Sequence, residues 1–245
     1  GKATNVAIVF GADITKSSLG TAKSAAIANL AILSGALRGQ GGLFPLDEKG
    51  NTQGLLDMGV CPEKLPGFQN YEQHKAKFAK AWNCTLPTGG QDAEGILQGI
   101  ETGSIRFLYL AATNPQSFPN SSRWMQALAK VEVLVVQDIL PTEVTRLAKI
   151  VLPGVSFAEK GGSVTSLDQR VRSLERAIRP VGDSREDWDI FAELYGRLSK
   201  TPLTFSRSSI LTELSSLTSL YGDICFTGAD RHRPCLKQPY SPADK

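Results

Sequence analysis

Three short apolar runs, separated by helix-forming sequence, constrain this chain more than any other feature. They are "IRFLYLAA" (Ile105–Ala112), "VEVLVVQD" ending at Asp138, and "KIVLP" ending at Pro153. "WMQALAKV" lies between the first two and "PTEVTRLA" between the last two, with Pro141 near the helix start. Apolar runs too short for helices, alternating with helical sequence, predict an α/β fold built on a doubly wound, mostly parallel sheet with flanking helical segments. An earlier run, Asn5–Phe10, starts the same way and is ended by Gly11-Ala12-Asp13. A helix is predicted over Thr21–Ser34, where Ala22, Ala25, Ala26, Leu30 and Leu33 recur at helical spacing. Further helices are predicted over 71–83, over Asp92–Gly103 with Asp92 as N-cap and Gly103 as stop, and over "SSILTELSSL". In Glu186–Lys200, residues Trp188, Phe191, Ala192, Leu194, Tyr195 and Leu198 form the apolar face of an amphipathic helix. The stretch punctuated by Gly35, Gly39, Gly41 and Gly42 and running on to Gly59 reads as one long functional loop.

The 245 residues are 41% hydrophobic and 21% charged, which is globular composition with room for one large domain or two medium ones. No apolar run approaches the ~18–20 residues that span a bilayer. The opening residues lack a signal-peptide pattern and begin a strand at once, as a piece cut from a longer protein would. A net charge of +3 without a basic stripe gives nucleic-acid binding no support. Cys61, Cys84, Cys225 and Cys235 form no CxxC pair, so no metal site is expected here. Cys225, His232 and Cys235 are close enough to hold an ion, but free thiols in a tail is the simpler reading.

Ligands of parallel sheets sit outside the carboxyl ends of the strands. Those ends here carry Thr113-Asn114-Pro115, then Gln137-Asp138 with Pro141-Thr142-Glu143, then the stretch after Pro153. Short polar side chains in such places can read a purine edge or a ribose, and Asp138 can accept two N–H groups of a guanine. The same residue types also cap helices. There is no GxGxxG and no P-loop. The two histidines, His74 and His232, follow no strand end, and His74 lies on a polar, solvated helix, so acid–base catalysis has little support.

"LAKIVLPGVSFAEKGGSVTSLDQRV" resembles the stretch of molybdopterin oxidoreductases that reads ADVVLP, then E-K-x-G-T, then N-x-E-G-R; Leu152-Pro153, Glu159-Lys160, Gly162 and Arg170 match. "NLAILSGALRGQGGLFPLDEKGNTQGLLDMG", "LYLAATNPQSFPN", "VVQDILPTEVTRLA" and "GDSREDWDIFAELYGRL" resemble the family's other segments in order, so the likeness covers about Asn5 to Lys200. Two branches share this pattern: molybdenum or tungsten enzymes such as formate dehydrogenase, and the pterin-free large iron–sulfur subunit of NADH-quinone oxidoreductase (complex I). Lys149, Ser166, Asp168 and Gln169 replace the usual Asp, Asn, Glu and Gly. These departures favour the complex I branch, while the intact "NTQGLLDMG" and "TNP" resemble the formate dehydrogenase version.

The resemblance implies first a central fragment of that large iron–sulfur subunit of complex I, an electron-transfer scaffold without chemistry of its own in a multi-subunit redox complex, and second a fragment of a molybdopterin enzyme such as formate dehydrogenase. Such a complex would be cytoplasmic, peripheral to the inner membrane through its partner subunits, and this chain would not insert in the membrane. Residues 1–104 would belong to the core domain, 105–153 to a nucleotide-binding-type α/β domain, 154–200 to a return segment, and 201–245 to a helix and an extended tail. In the complex I type this fragment would hold no cofactor, with iron–sulfur clusters in a missing N-terminal part. In the catalytic type it would bind a molybdopterin guanine dinucleotide. Asn114, Pro115, Gln137, Asp138 and Thr142 would then hold the guanine side, Gln53, Gly54, Asp57 and Met58 would approach the pterin, and Arg170 would face a phosphate or a carboxylate across a domain seam. Glu159 and Lys160 would pair with each other or cap the turn. A third reading, from outside the family, is a nucleotide-binding module without a redox role.

Overall fold

Gly11 ends the first apolar run, leaving strand β1 at Ala7–Phe10, with the short helix α1 (Ala12–Thr15) and then α2 (Gly20–Leu33) after it. The computed structural model describes residues 5–15, 17, 19–38, 41–167, 170–202 and 206–221. Cys225, His232 and Cys235, the tail from 222 to 245, and Asp168 and Gln169 therefore lie outside the described residues. Among the described residues no helix is long and apolar enough to cross a membrane, and no group of His, Cys, Asp and Glu could hold a metal ion.

The expected long loop is not structureless. It contains strand β2 (Gly42–Pro45) and helix α3 (Thr52–Asp57). β2 pairs in parallel with β1, with Ala7 opposite Gly42 and Phe10 opposite Pro45. A four-residue strand that starts on glycine carries almost no pattern of its own, and its neighbour decides it. A small antiparallel pair, β3 (Lys64–Leu65) and β4 (Gln69–Asn70), leads into α4 (Tyr71–Ala81), which Asn70 caps by accepting from the amide of Gln73. Helix α5 spans Ala93–Glu101, with Asp92 accepting from the amide of Gly95 at 2.8 Å.

β5 (Phe107–Ala111), α6 (Ser121–Leu128), β6 (Val133–Asp138), α7 (Glu143–Leu147) and β7 (Ile150–Pro153) follow in the predicted alternation. β6 is central, with β5 and β7 parallel on either side. Strand side chains alternate between faces. Leu110, Leu134 and Val136 therefore meet Leu97, Ile100, Trp124, Leu128 and Val144 from α5, α6 and α7 in the main core. Burying one such leucine contributes about 1.5–3 kcal/mol.

The hairpin β8 (Gly162–Thr165) and β9 (Val171–Leu174) is antiparallel. Helix α8 (Asp187–Ser199) reaches the opposite face of the sheet, where the Phe191 ring lies 6.2 Å from that of Tyr109. The expected apolar face of α8 needs correction. Ile190, which was not part of it, is buried, whereas Trp188, Phe191, Tyr195 and Leu198 are exposed. The described residues include no layer that covers this stripe. Helix α9 (Arg207–Leu217) and a 3-10 turn at Ser219–Tyr221 fold back on the β3–β4–α4 region. There the indole of Trp82 donates to Glu213, and Gln69 donates to the Leu217 carbonyl.

Candidate functional site

Helix α3 begins at Asn51, whose side chain does not cap its own helix. Its Oδ1 instead accepts the backbone N–H of Thr165 on β8, at 2.9 Å and 114 positions away. Gly54 makes this possible, because a Cβ there would lie 2.2 Å from Asn51 Oδ1. Gly59, in the left-handed region at φ 75°, turns the chain so closely past Leu65 that a Cβ would sit 2.8 Å from its Cα. The "NTQGLLDMG" spacing is thus a steric requirement of this turn.

Between α3 and β8 lies a cleft of about 570 Å³. Asp47, Lys49, Thr52, Gln53, Thr165 and Ser166 give it polar groups, and Leu46 and Leu56 give it apolar walls. The Lys49 ammonium and the Gln53 carbonyl oxygen have no side-chain partner among the described residues. Thr52 donates its hydroxyl to Asp47.

Behind Gln53, Asp57 is 2% exposed. Gln53 Nε2 donates to Asp57 Oδ1 at 2.8 Å, and the Tyr221 hydroxyl donates to Oδ2 at 3.4 Å. Burial pushes the Asp57 carboxyl above its ordinary pKa, and the bonds from Gln53 and Tyr221 oppose that rise. Burial, together with the nearby Asp57 charge, holds Tyr221 well above the usual tyrosine range, while Thr165 hydrogen-bonds to it. Asn51, Thr165, Tyr221, Asp57 and Gln53 thus form a continuous chain of contacts beneath the cleft.

A second constellation sits at the carboxyl ends of β5 and β6. Gln137 is 1% exposed, and both ends of its amide are engaged. Tyr109 donates to its carbonyl oxygen, and its Nε2 donates to Asp187 at 2.6 Å. The Lys160 ammonium donates to the other oxygen of Asp187. Burial, with the charge of Asp187 second, raises the Tyr109 pKa. Asn114 Oδ1 accepts from the Gln116 amide and caps a 3-10 turn at Pro115–Ser117. Thr142 exchanges hydrogen bonds with Thr145 in a capping box that starts α7. Asp138 Oδ1 accepts the amide of Ile139 at 2.7 Å.

The ten residues expected to bind a cofactor therefore fall into separate places. Gln53 lines the cleft, Gly54 supports Asn51, Asp57 is buried beneath, and Met58 packs with Val171, Leu220 and Tyr221. Asn114, buried Pro115, Gln137, Asp138 and Thr142 gather at the strand ends, and none of them lines the cleft. Arg170 is exposed at the hairpin, and its carbonyl accepts from the amide of Ser166. Glu159 and Lys160 do not pair with each other: Glu159 accepts from Ser156 and from the Val181 amide. Those hydrogen bonds, the one from the Ser156 hydroxyl foremost, hold its pKa below the ordinary value. Sequence reasoning missed Asn51, Thr165, Asp187 and Tyr221. Asn51 carried a signal in its motif, but Tyr221 had none, because its role depends on a contact across 164 positions.

The molybdopterin oxidoreductase family model matches residues 1–197. The alpha subunit of an NADPH-Fe(3+) oxidoreductase from Geobacter sulfurreducens is 44% identical over 226 residues, which is 91% of this chain and 26% of that protein. A Staphylococcus haemolyticus protein with a formate dehydrogenase designation is 34% identical over 228 residues, 91% of this chain and 23% of its own length. The chain thus spans about a quarter of the length of these curated relatives. Among solved structures, acetylene hydratase from Pelobacter acetylenicus shows a slight likeness, with a TM-score of 0.41 at 18% identity over 44% of this chain and 16% of that one. With the family model matched over most of its residues, and an α/β sheet of the kind its motifs led us to expect, this chain belongs to the molybdopterin oxidoreductase family.

Proposed function

We propose that this chain is the cofactor-facing middle portion of the large subunit of a multi-subunit oxidoreductase that binds a molybdopterin guanine dinucleotide. The observation that carries this reading is the cleft between α3 and β8, where two motif segments far apart in sequence are tied by the Asn51–Thr165 hydrogen bond. The polar lining, one ammonium among accepting oxygens, fits a heterocycle whose edge carries N–H donors beside an acceptor. Lys49 supplies a cation, the Thr52 and Ser166 hydroxyls, whose hydrogens go to Asp47 and to the Arg170 carbonyl, supply acceptor lone pairs, and Gln53 supplies a carbonyl with no side-chain partner among the described residues. Asp138, with one carboxylate oxygen engaged by Ile139, keeps the other for a guanine edge. Bound here, the pterin would supply the metal-based redox chemistry. The chain's own part is to hold and orient it and to exclude water from its apolar side, against Leu46 and Leu56. The designations of the relatives, an iron-reducing oxidoreductase alpha subunit and a formate dehydrogenase, support an oxidoreductase of this kind with partner subunits.

One departure that pointed to a pterin-free protein loses its weight. Lys149 donates its backbone amide to the Leu134 carbonyl at the amino-terminal end of the sheet, near Glu132 and away from the strand ends that would face a cofactor. A second reading keeps one specific support. Asn114, Gln137 and Thr142 each bond within the protein, as in an inherited scaffold of the kind found in the large iron–sulfur subunit of complex I, peripheral to a membrane through its partners.

Metal and pterin content separate the two. The full-length protein, purified from its native host without added metal, should carry molybdenum or tungsten in stoichiometric amount by elemental mass spectrometry. It should also release a fluorescent oxidised pterin. Iron without pterin would overturn the first reading in favour of the second.

A further inference from the structure

We infer that Asp57 is a positioning residue: it holds the NH2 group of Gln53 beneath the cleft and so turns the Gln53 carbonyl oxygen outward, which makes the cleft select a ligand edge that donates a hydrogen bond at that point. The assignment of the cleft to a pterin dinucleotide rests on the proposed function; the orientation of Gln53 does not.

The argument is one of hydrogen-bond supply. A carboxylate can only accept, so the group that Gln53 turns toward it must be its NH2. The bond is 2.8 Å long, and it joins positions one helical turn apart on α3. The second oxygen of Asp57 is taken by Tyr221. Its backbone carbonyl accepts the amides of Gly67 and Phe68, at 2.7 and 3.2 Å. Among the described residues, Tyr221 is the titratable group that faces Asp57, and Thr165 stands beside Tyr221. A neutral Asp57 gains an O–H donor and no longer forces the choice, so the orientation is fixed in the ionised form. Gln53 lines the cleft and has no other side-chain partner among the described residues, so its oxygen is left, with the Lys49 ammonium, to meet a ligand. Gln53 is half-buried, so once a ligand has displaced water from the cleft, an acceptor fixed in this way disfavours an edge that lacks the matching donor.

The test uses the full-length protein, 15N-labelled at glutamine, with variants Gln53→Met, Gln53→Glu and Asp57→Asn and with folding checked by thermal melting. The Gln53 side-chain amide signal is identified by its loss in Gln53→Met. We expect it to shift as Asp57 ionises, with a midpoint above the ordinary aspartate value, and to stop titrating in Asp57→Asn. A Gln53 amide that does not respond to pH in the parent, or that responds equally in Asp57→Asn, overturns the positioning role whatever the pterin content.

Released pterin per polypeptide is the second readout. Gln53→Met should lower it about tenfold at every pH. Gln53→Glu, which offers only acceptors once ionised, should retain it at low pH, where the introduced carboxyl and Asp57 can share a proton, and lose it as pH rises. Equal pterin in Gln53→Met and the parent overturns the selection by a donor edge. A parent without pterin overturns the proposed function and the selection that rests on it, while the amide titration still decides the positioning role.

Discussion

The hydroxyl of Tyr221 donates to the buried carboxylate of Asp57 at 3.4 Å, joining the turn after α9 to the end of α3 across 164 positions. Tyr221 is 4% exposed and packs with Val171 and Leu220, so the hydroxyl is delivered by a ring that the core fixes. Tyr221→Phe keeps that packing and removes the donor. It should destabilise the protein by about 1–3 kcal/mol, the usual cost of stranding a buried polar group. Thermal or denaturant unfolding of parent and variant measures the loss, and equal stability would mean that Asp57 finds a replacement partner.

The same carboxylate should leave a mark on the pH dependence of stability. Its folded-state pKa lies above the ordinary aspartate value, so folding favours the neutral form. The stabilisation is therefore complete below the unfolded-state pKa and is lost as pH rises through the folded-state value. Glu159 has the opposite sign. Hydrogen bonds from Ser156 and Val181 depress its pKa below the ordinary glutamate value, so its contribution is present above that value and is lost as pH falls. Replacing Asp57 by Asn should flatten the weakly acidic side of the stability profile as pH rises, and Glu159→Gln should flatten the acid limb. Unfolding measured from about pH 3 to 8 in both variants checks the two signs.

Asn51 and Gly54 should behave as one unit. Asn51→Ala strands the amide of Thr165 in a buried position, at a cost of about 1–3 kcal/mol. Gly54→Ala places a methyl where Asn51 Oδ1 now sits and should break the same bond. A double-mutant cycle should therefore give a cost for the pair well below the sum of the single costs. Additive losses would show that the glycine serves another purpose.

Lys200 ends α8 in the left-handed region at φ 58°, which a glycine adopts without its side-chain penalty. Lys200→Gly should stabilise the protein by up to about 1 kcal/mol, because the ~1–2 kcal/mol left-handed penalty of a side chain exceeds the ~0.5–1 kcal/mol of chain entropy that glycine costs. A lower melting temperature would contradict this and point to a role for the ammonium group.

The alternation of short apolar runs and helical stretches was enough to write down β5, α6, β6, α7 and β7, because burial period and element length are local properties. Asp92 as the cap of α5 was legible for the same reason, since a cap bonds three residues ahead. The motif glycines were legible as glycines, though not what each one clears. Strand β2 was not legible: Gly42–Pro45 is extended because β1 pairs with it. The outer face of α8 shows the converse, an apolar stripe that the sequence marks and that no described residue covers.

The site divides along the same line. Gln53 and Asp57 stand one turn apart on α3, a helix inside a stretch whose sequence reads as a loop. Only the tertiary structure decided that one faces a cleft and the other lies beneath it, because β8 and Tyr221 close over Asp57 from 108 and 164 positions away. Gln137 followed the same course: its place at a strand end was evident, while its engagement with Tyr109 and Asp187 was set by where α8 begins. Local spacing determines which residues share a face. Contacts closed across the chain determine which of their atoms remain free to meet a ligand.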